Sequence, residues 1–78
     1  MKVTVNGKAK SLTEGTTLLA VVADVTGRDL TDTGQPADGT RLGVAVAHNW
    51  DIARRAGWHA QLLDDGDDVE VVTAVQGG

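Results

Sequence analysis

The sequence predicts an α+β domain in which one main helix packs across one face of a mixed sheet of four to five strands. Three observations support this prediction. Segments near both ends of the chain have the apolar pattern of strands, a segment between them has helical spacing, and 78 residues allow only one compact core. We expect residues 1–75 to form this domain and residues 76–78 to form a flexible tail.

The first two strands are predicted to form a hairpin. Lys2–Val5 alternates polar and β-branched apolar residues, which is typical of a half-buried strand. Asn6 and Gly7 follow, and this pair tolerates the positive φ angles of a tight hairpin turn. We therefore expect residues 8–12 to run back beside the first strand.

The next segment is predicted to be a helix of about ten residues. Residues 13–17 supply turn and N-cap chemistry, and Gly27 is a natural stop. The valines between them would also suit a strand, but the capping residues and the glycine favour the helix. The apolar residues expected on one helical face are Leu18, Leu19, Val22 and Val25.

The middle of the chain is less regular. Residues 28–40 are rich in Asp and Gly and contain the only proline, which predicts a long surface loop. Residues 42–47 alternate large and small apolar side chains, as a half-buried or fully buried strand does. Residues 48–59 suit a short edge strand and a helical turn, with Trp50, Ile52 and Trp58 as their large apolar anchors.

The last predicted strand is residues 69–75, after an acidic turn at residues 64–68 in which Gly66 can adopt a positive φ. Val71 and Val72 are apolar on both sides of the strand's alternation, which indicates a central position in the sheet. A first strand and a last strand can lie side by side in such a sheet, so we expect the tail to project beyond its edge.

Composition excludes several kinds of function. A net charge of −4 opposes nucleic-acid binding and suits basic protein partners, and the absence of cysteine excludes disulfides and thiolate chemistry. The N-terminal alternation is unlike a signal peptide, and no apolar stretch approaches the length of a membrane span. We expect a cytoplasmic protein without nucleic-acid or membrane partners.

Few side chains suggest a reaction. His48 and His59 are too isolated to predict a metal site, so no metal is expected, and Asp51 near His48 reads as a second solvated loop residue. Ser11 is expected to be an outward strand residue. No glycine-rich phosphate loop is present, so we expect no bound nucleotide or other cofactor.

Two features allow either a partner surface or an ordinary structural role. The acidic turn at residues 64–68 could dock a partner, but solvation of a turn is the favoured interpretation. Trp50 and Trp58 could anchor a partner or close the small core, and Trp58 lies close in sequence to the apolar pair at residues 62–63. Because no internal site emerges, Gly77 and Gly78 become the best candidate for chemistry.

The combination and order of several short motifs resemble the ubiquitin-like sulfur-carrier proteins of the ThiS/MoaD family, most closely the ThiS type. These motifs are NGK, EGTTL, the strand ending at Ala47, Trp58, LLDDGDDVEVV and the final QGG. The resemblance spans nearly the whole chain. It departs from the family pattern at residues 53–55, where a V-P-R-like step is usual, and at residues 28–41, which are longer than is typical.

The resemblance implies a β-grasp fold and a role as a protein cosubstrate rather than as an enzyme. An E1-like adenylyltransferase of the ThiF type would use ATP to adenylate the carboxylate of Gly78. A sulfur donor would then form a thiocarboxylate, and thiazole synthase of the ThiG type would accept the sulfur for thiamin biosynthesis. Gly77 and Gln76 would belong to the tail, and Ala74 and Val75 would contact partners.

Three alternatives remain open on the sequence. The protein could carry sulfur in another pathway, as the small subunit of molybdopterin synthase or in the synthesis of a natural product. It could be a ubiquitin-like modifier that forms isopeptide bonds with lysines. It could also be a β-grasp interaction module in which Gly77 and Gly78 have no chemical role.

Overall fold

The computed structural model describes residues 1–73, which form a five-stranded mixed sheet with one main helix. The strands are β1 (Lys2–Val5), β2 (Lys8–Ser11), β3 (Val44–His48), β4 (Asp51–Ile52) and β5 (Asp68–Thr73), and the helices are α1 (Leu18–Thr26) and a 3₁₀ helix (Arg55–Ala60). The strand order is β2-β1-β5-β3-β4. The predicted fold class is therefore confirmed, with β4 and the 3₁₀ helix as the predicted edge strand and helical turn.

The hairpin of β1 and β2 turns at Asn6 and Gly7, whose φ angles are 50° and 80°. The side chain of Asn6 has a second contact, because its Oδ1 accepts a hydrogen bond of 2.7 Å from the backbone N–H of Val71. The residue that turns the hairpin thus also ties it to β5.

Both predicted ends of α1 are confirmed. Thr17 caps the first turn by accepting a 3.2 Å hydrogen bond from the N–H of Ala20, and Gly27 ends the helix with a φ of 69°. The predicted apolar face of α1 was wrong at Val25, near the C-terminal end of the helix, and it omitted Val21. Val21 is buried, whereas Val25 is 37% exposed because it lies at the rim of the sheet beside the hairpin.

The central position of β5 is confirmed, since it runs parallel to β1 and antiparallel to β3. Its apolar residues on both sides of the alternation do not mean that both of its faces are buried. Val71 is 6% exposed and packs toward α1, whereas Val72 is 61% exposed on the other face. The reason is that α1 covers only one face of the sheet.

The core lies between the sheet and α1, and Trp58 of the 3₁₀ helix closes it. Trp58 is 1% exposed, and its indole N–H donates a 2.9 Å hydrogen bond to the carbonyl of Ala53. Residues 28–40 contain no helix or strand, as predicted, but they are not purely a surface loop, because Gly34 and Pro36 are buried. The next strand begins at Val44 rather than at residue 42 as predicted. Within residues 1–73, no helix has the length and apolar character needed to cross a membrane.

Candidate functional site

The site predicted from the sequence is the carboxylate of Gly78, with Gly77 and Gln76 in the tail and Ala74 and Val75 as partner contacts. All five residues lie outside residues 1–73, the part of the chain that the structure describes. The structure does describe β5, the strand that leads to them. The two ends of β5 and the sheet face beside it are therefore the relevant geometry.

The end of β5 from which the tail continues is held by β3. Thr73 is in register with Val44, the first residue of β3, and this pairing continues along β5 to Val69. The parallel partner β1 pairs only with Asp68 and Val69, at the other end of β5. We use Thr73, the last described residue of β5, as the base of the tail, and it lies beside Val44, into which residues 42–43 lead.

The sheet face that α1 does not cover carries exposed apolar side chains. Ala45 is directly opposite Val72, and Ala47 is directly opposite Ile52, so each pair shares a face. Val72 is 61% exposed and Ile52 is 81% exposed. We call Ala45, Ala47, Ile52 and Val72 the open face. The pair of Ala45 and Val72 lies next to the last described residue of β5, whereas the pair of Ala47 and Ile52 is level with Glu70, nearer the start of β5.

The start of β5 is stabilised by a buried acid, Asp67. One carboxylate oxygen accepts hydrogen bonds from the Nε2 of His48 at 2.7 Å and from the backbone N–H of Asp64 at 2.9 Å. The other oxygen accepts one of 3.1 Å from the side-chain amide of Asn49. Burial by itself would raise the pKa of Asp67, but these hydrogen bonds outweigh it and hold that pKa below its ordinary value.

Two predictions about this region were wrong. The acidic turn is not simply solvated, because Asp67 is 8% exposed, although Gly66 adopts the expected positive φ of 88°. His48 is a half-buried residue at the end of β3 rather than a solvated loop residue, and its partner is Asp67 rather than Asp51. Because β3 and β5 are adjacent and antiparallel, the end of β3 lies next to the start of β5. An antiparallel pairing of these two strands was the signal that could have predicted the contact between His48 and Asp67.

The other sequence candidates lie apart from one another. Ser11 is exposed on the edge strand β2, as predicted, and His59 is exposed in the 3₁₀ helix. Trp58 takes the core role, whereas Trp50 is 79% exposed in the turn between β3 and β4. In the described part of the chain, no three His, Asp or Glu side chains are grouped as potential metal ligands.

Arg55 is a residue for which the sequence predicted no role. Its guanidinium donates hydrogen bonds of 2.8 Å to the carbonyl of Gly34 and 2.7 Å to the carbonyl of Leu42, and it lies 4.9 Å from the centre of the Trp58 ring. It therefore fastens residues 28–43 to the 3₁₀ helix. The close spacing of Arg55 and Trp58 was the only hint in the sequence.

A mixed sheet in this strand order with one helix across one face defines a ubiquitin-like β-grasp domain. The chain belongs to the ThiS family of small sulfur-carrier proteins, because the model of that family matches residues 3–78. The match includes Gly77 and Gly78.

Two solved structures have the same fold. The crystal structure of the thiamine biosynthesis protein ThiS from Geobacter metallireducens is 24% identical, with a TM-score of 0.68 and complete coverage of both chains. An NMR solution structure of a thiamine biosynthesis protein from the same organism is also 24% identical, with a TM-score of 0.66 over 100% of this chain and 88% of the other. No curated protein matches the chain in sequence.

Proposed function

We propose that the protein carries sulfur for thiamine biosynthesis as a thiocarboxylate at Gly78. The observation that carries this proposal is the ThiS family match through residue 78, which includes both glycines of the tail. The β-grasp domain supports it, as do the two similar structures, both of which are of thiamine biosynthesis proteins.

The chemistry starts from an unreactive group. A terminal carboxylate has a pKa of about 3.5 and is an anion at neutral pH, which makes it a poor electrophile. A ThiF-type adenylyltransferase would use ATP to adenylate Gly78. A carboxylate oxygen of Gly78 would bond to the α-phosphorus of ATP, and pyrophosphate would leave. Sulfide-level sulfur from a donor would then attack the acyl carbon of Gly78 and displace AMP. The product on Gly78 is the thiocarboxylate.

The proposed acceptor is a ThiG-type thiazole synthase. Attachment to a protein raises the local concentration of the sulfur at the acceptor site and avoids free sulfide. Glycine suits this delivery, because Gly77 and Gly78 lack side chains that would widen the tail or restrict its torsions. The protein would act as a cosubstrate of its partners and would bind no cofactor itself.

The open face is the proposed docking surface for these partner enzymes. An enzyme that handles the tail must approach the base of the tail, and the open face extends from Val72, next to Thr73, across β3 to Ile52 of β4. Ile52 and Val72 place large apolar side chains in solvent there. Burial of exposed apolar side chains under a partner would favour association.

Intact mass spectrometry tests the proposal. Protein that ends at Gly78 is incubated with the ThiF-type enzyme, ATP and a sulfur source, and we expect a mass increase equal to the replacement of one oxygen by sulfur. Fragmentation should place the change at Gly78. Adding thiazole synthase and its other substrates should return the mass to its starting value as the sulfur is transferred.

The matched control has one extra residue after Gly78 and should fold normally but show no change of mass. An unchanged mass for the protein that ends at Gly78, with an activating enzyme shown to be competent, contradicts the proposal. Lysine-linked conjugates would identify a modifier instead. A thiocarboxylate that thiazole synthase does not consume would identify a carrier of another pathway.

A further inference from the structure

An open groove lies beside the base of the tail. Residues 35–36, residues 39–43 and Arg55 line it, and its volume is about 560 Å³. We call it the arginine groove, because Arg41 and Arg55 both contribute to its wall. Leu42 and Gly43 lead directly into Val44, which pairs with Thr73, so one wall of the groove reaches the last described residue of β5.

Arg55 is held in place without a carboxylate partner among the described residues. It is half-buried, and its hydrogen bonds go to the carbonyl oxygens of Gly34 and Leu42. Within residues 1–73, no Asp or Glu oxygen lies within 4.0 Å of an arginine side-chain nitrogen. Two carbonyls and the Trp58 ring orient the guanidinium, and they leave its remaining N–H groups available.

This arrangement is unusual for a chain with more acidic than basic residues. The chain has 11 Asp and Glu against 7 Lys and Arg, yet the groove pairs neither of its arginines with an acid of residues 1–73. The nearby Asp38 instead accepts hydrogen bonds from the backbone N–H and hydroxyl of Thr40. The positive charges of the two arginines make the groove electrostatically complementary to an external anion.

We propose that the arginine groove docks a carboxylate side chain of the activating enzyme, which would bind Arg55 and Arg41. A guanidinium binds a carboxylate through N–H···O hydrogen bonds, and the carbonyls of Gly34 and Leu42 already hold the guanidinium of Arg55 in place. The enzyme must approach the tail, and one wall of the groove leads into Val44, the strand partner of Thr73. This inference rests on the proposed function, because it takes the activating enzyme as the partner.

The test compares two charge reversals at exposed positions. Arg41→Glu changes the groove, and Lys8→Glu makes the same change of charge on β2, at the opposite edge of the sheet from β3 and β4. For adenylation by the activating enzyme, we expect Arg41→Glu to raise KM about tenfold with little change in kcat. Lys8→Glu should stay within about twofold of the unaltered protein.

Two further measurements separate docking from misfolding. Arg41→Lys keeps the charge and should recover part of the lost affinity, and thermal unfolding of all three variants should match that of the unaltered protein. Added salt should raise the KM of the unaltered protein more steeply than that of Arg41→Glu, because only the former has the ion pair to screen.

The outcomes distinguish this inference from the proposed function. If the unaltered protein is adenylated but Arg41→Glu has the same KM as Lys8→Glu, the docking role is overturned and the carrier role stands. A fall in kcat at constant KM also overturns docking. If a competent activating enzyme does not adenylate the unaltered protein, the proposed function fails and the docking role fails with it.

Discussion

The charged residues near the two ends of β5 differ in whether the chain itself supplies a partner for their charge. At its start, Asp67 is buried and receives hydrogen bonds from the chain's own Asp64, His48 and Asn49. At its end, the half-buried Arg55 is oriented by carbonyl oxygens, and no acid of residues 1–73 pairs with it. The charge at the start of the strand is thus bound by groups of the chain itself, whereas the arginine near its end remains able to bind an acid from outside.

This difference separates the structural part of the molecule from the part available to partners. The bonds of Asp67 join the turn before β5 to the end of β3, so removing them should affect folding. The groove and the Val72 part of the open face lie near the other end of β5, where changes of surface groups should affect binding more than folding. Variants at the two ends can therefore test whether the distinction is real.

The largest effect on stability is expected at the start of β5. Asp67→Ala removes the charged acceptor of three partly buried hydrogen bonds, from His48, Asn49 and the N–H of Asp64, which should lower the free energy of unfolding by about 3 kcal/mol. Urea unfolding measures this loss. Asp64→Ala is the control, because Asp64 is exposed and donates to Asp67 through its backbone, and it should cost less than about 0.5 kcal/mol.

Acid unfolding provides an independent check on Asp67. Folding lowers the pKa of Asp67, so its contribution to stability is fully present above its ordinary value of 3.8 and is lost as the pH falls below that value through the folded-state pKa. The stability difference between the unaltered protein and Asp67→Asn should therefore shrink below pH 3.8, by at most about 1.4 kcal/mol per pH unit. A difference that stays constant there would contradict the assigned role.

The next effect concerns the attachment of residues 28–43. A Cβ added at Gly34 would lie 2.3 Å from Cγ of Arg55, whereas one added at Gly39 has no atom within 4 Å. Both glycines have positive φ, near 80°, so Gly39→Ala measures the backbone strain alone, about 1 kcal/mol. Gly34→Ala should cost about 2 kcal/mol and shift the NMR signal of the Trp58 indole N–H.

Equal costs for the two substitutions would mean that Arg55 does not fasten this segment. The groove would then lack a fixed guanidinium, and the contrast between the two ends of β5 would lose its structural basis. A larger cost at Gly34 together with an unchanged Trp58 signal would place the strain elsewhere in residues 28–43.

The features predicted best from the sequence are those with local causes. The turn at Asn6 and Gly7 and the helix ends at Thr17 and Gly27 depend on conformational preferences and hydrogen bonds between near neighbours in the chain. The order of strands and helices along the chain also followed, because apolar alternation and glycine-containing turns divide most of the chain into distinct elements. These signals were sufficient for the fold.

Side-chain pairs from distant segments could not be predicted in the same way. His48 and Asp67 are 19 residues apart in sequence, and their contact depends on the antiparallel alignment of β3 with β5. Arg55 likewise binds carbonyls of Gly34 and Leu42, in a segment without regular structure whose path no periodicity specifies. The exposure of Val72 depended on which sheet face α1 covers.

The smallest effect is expected on the open face. Val72→Asp should raise the KM of adenylation by the activating enzyme about fivefold, because a carboxylate would replace apolar contact area, and it should leave the fold intact because Val72 is 61% exposed. Leu62→Asp is the control, since Leu62 is 55% exposed but lies outside the five strands. If both variants bind the enzyme as the unaltered protein does, the open face is not the docking surface, and the end of β5 differs from the rest of the surface only at the arginine groove.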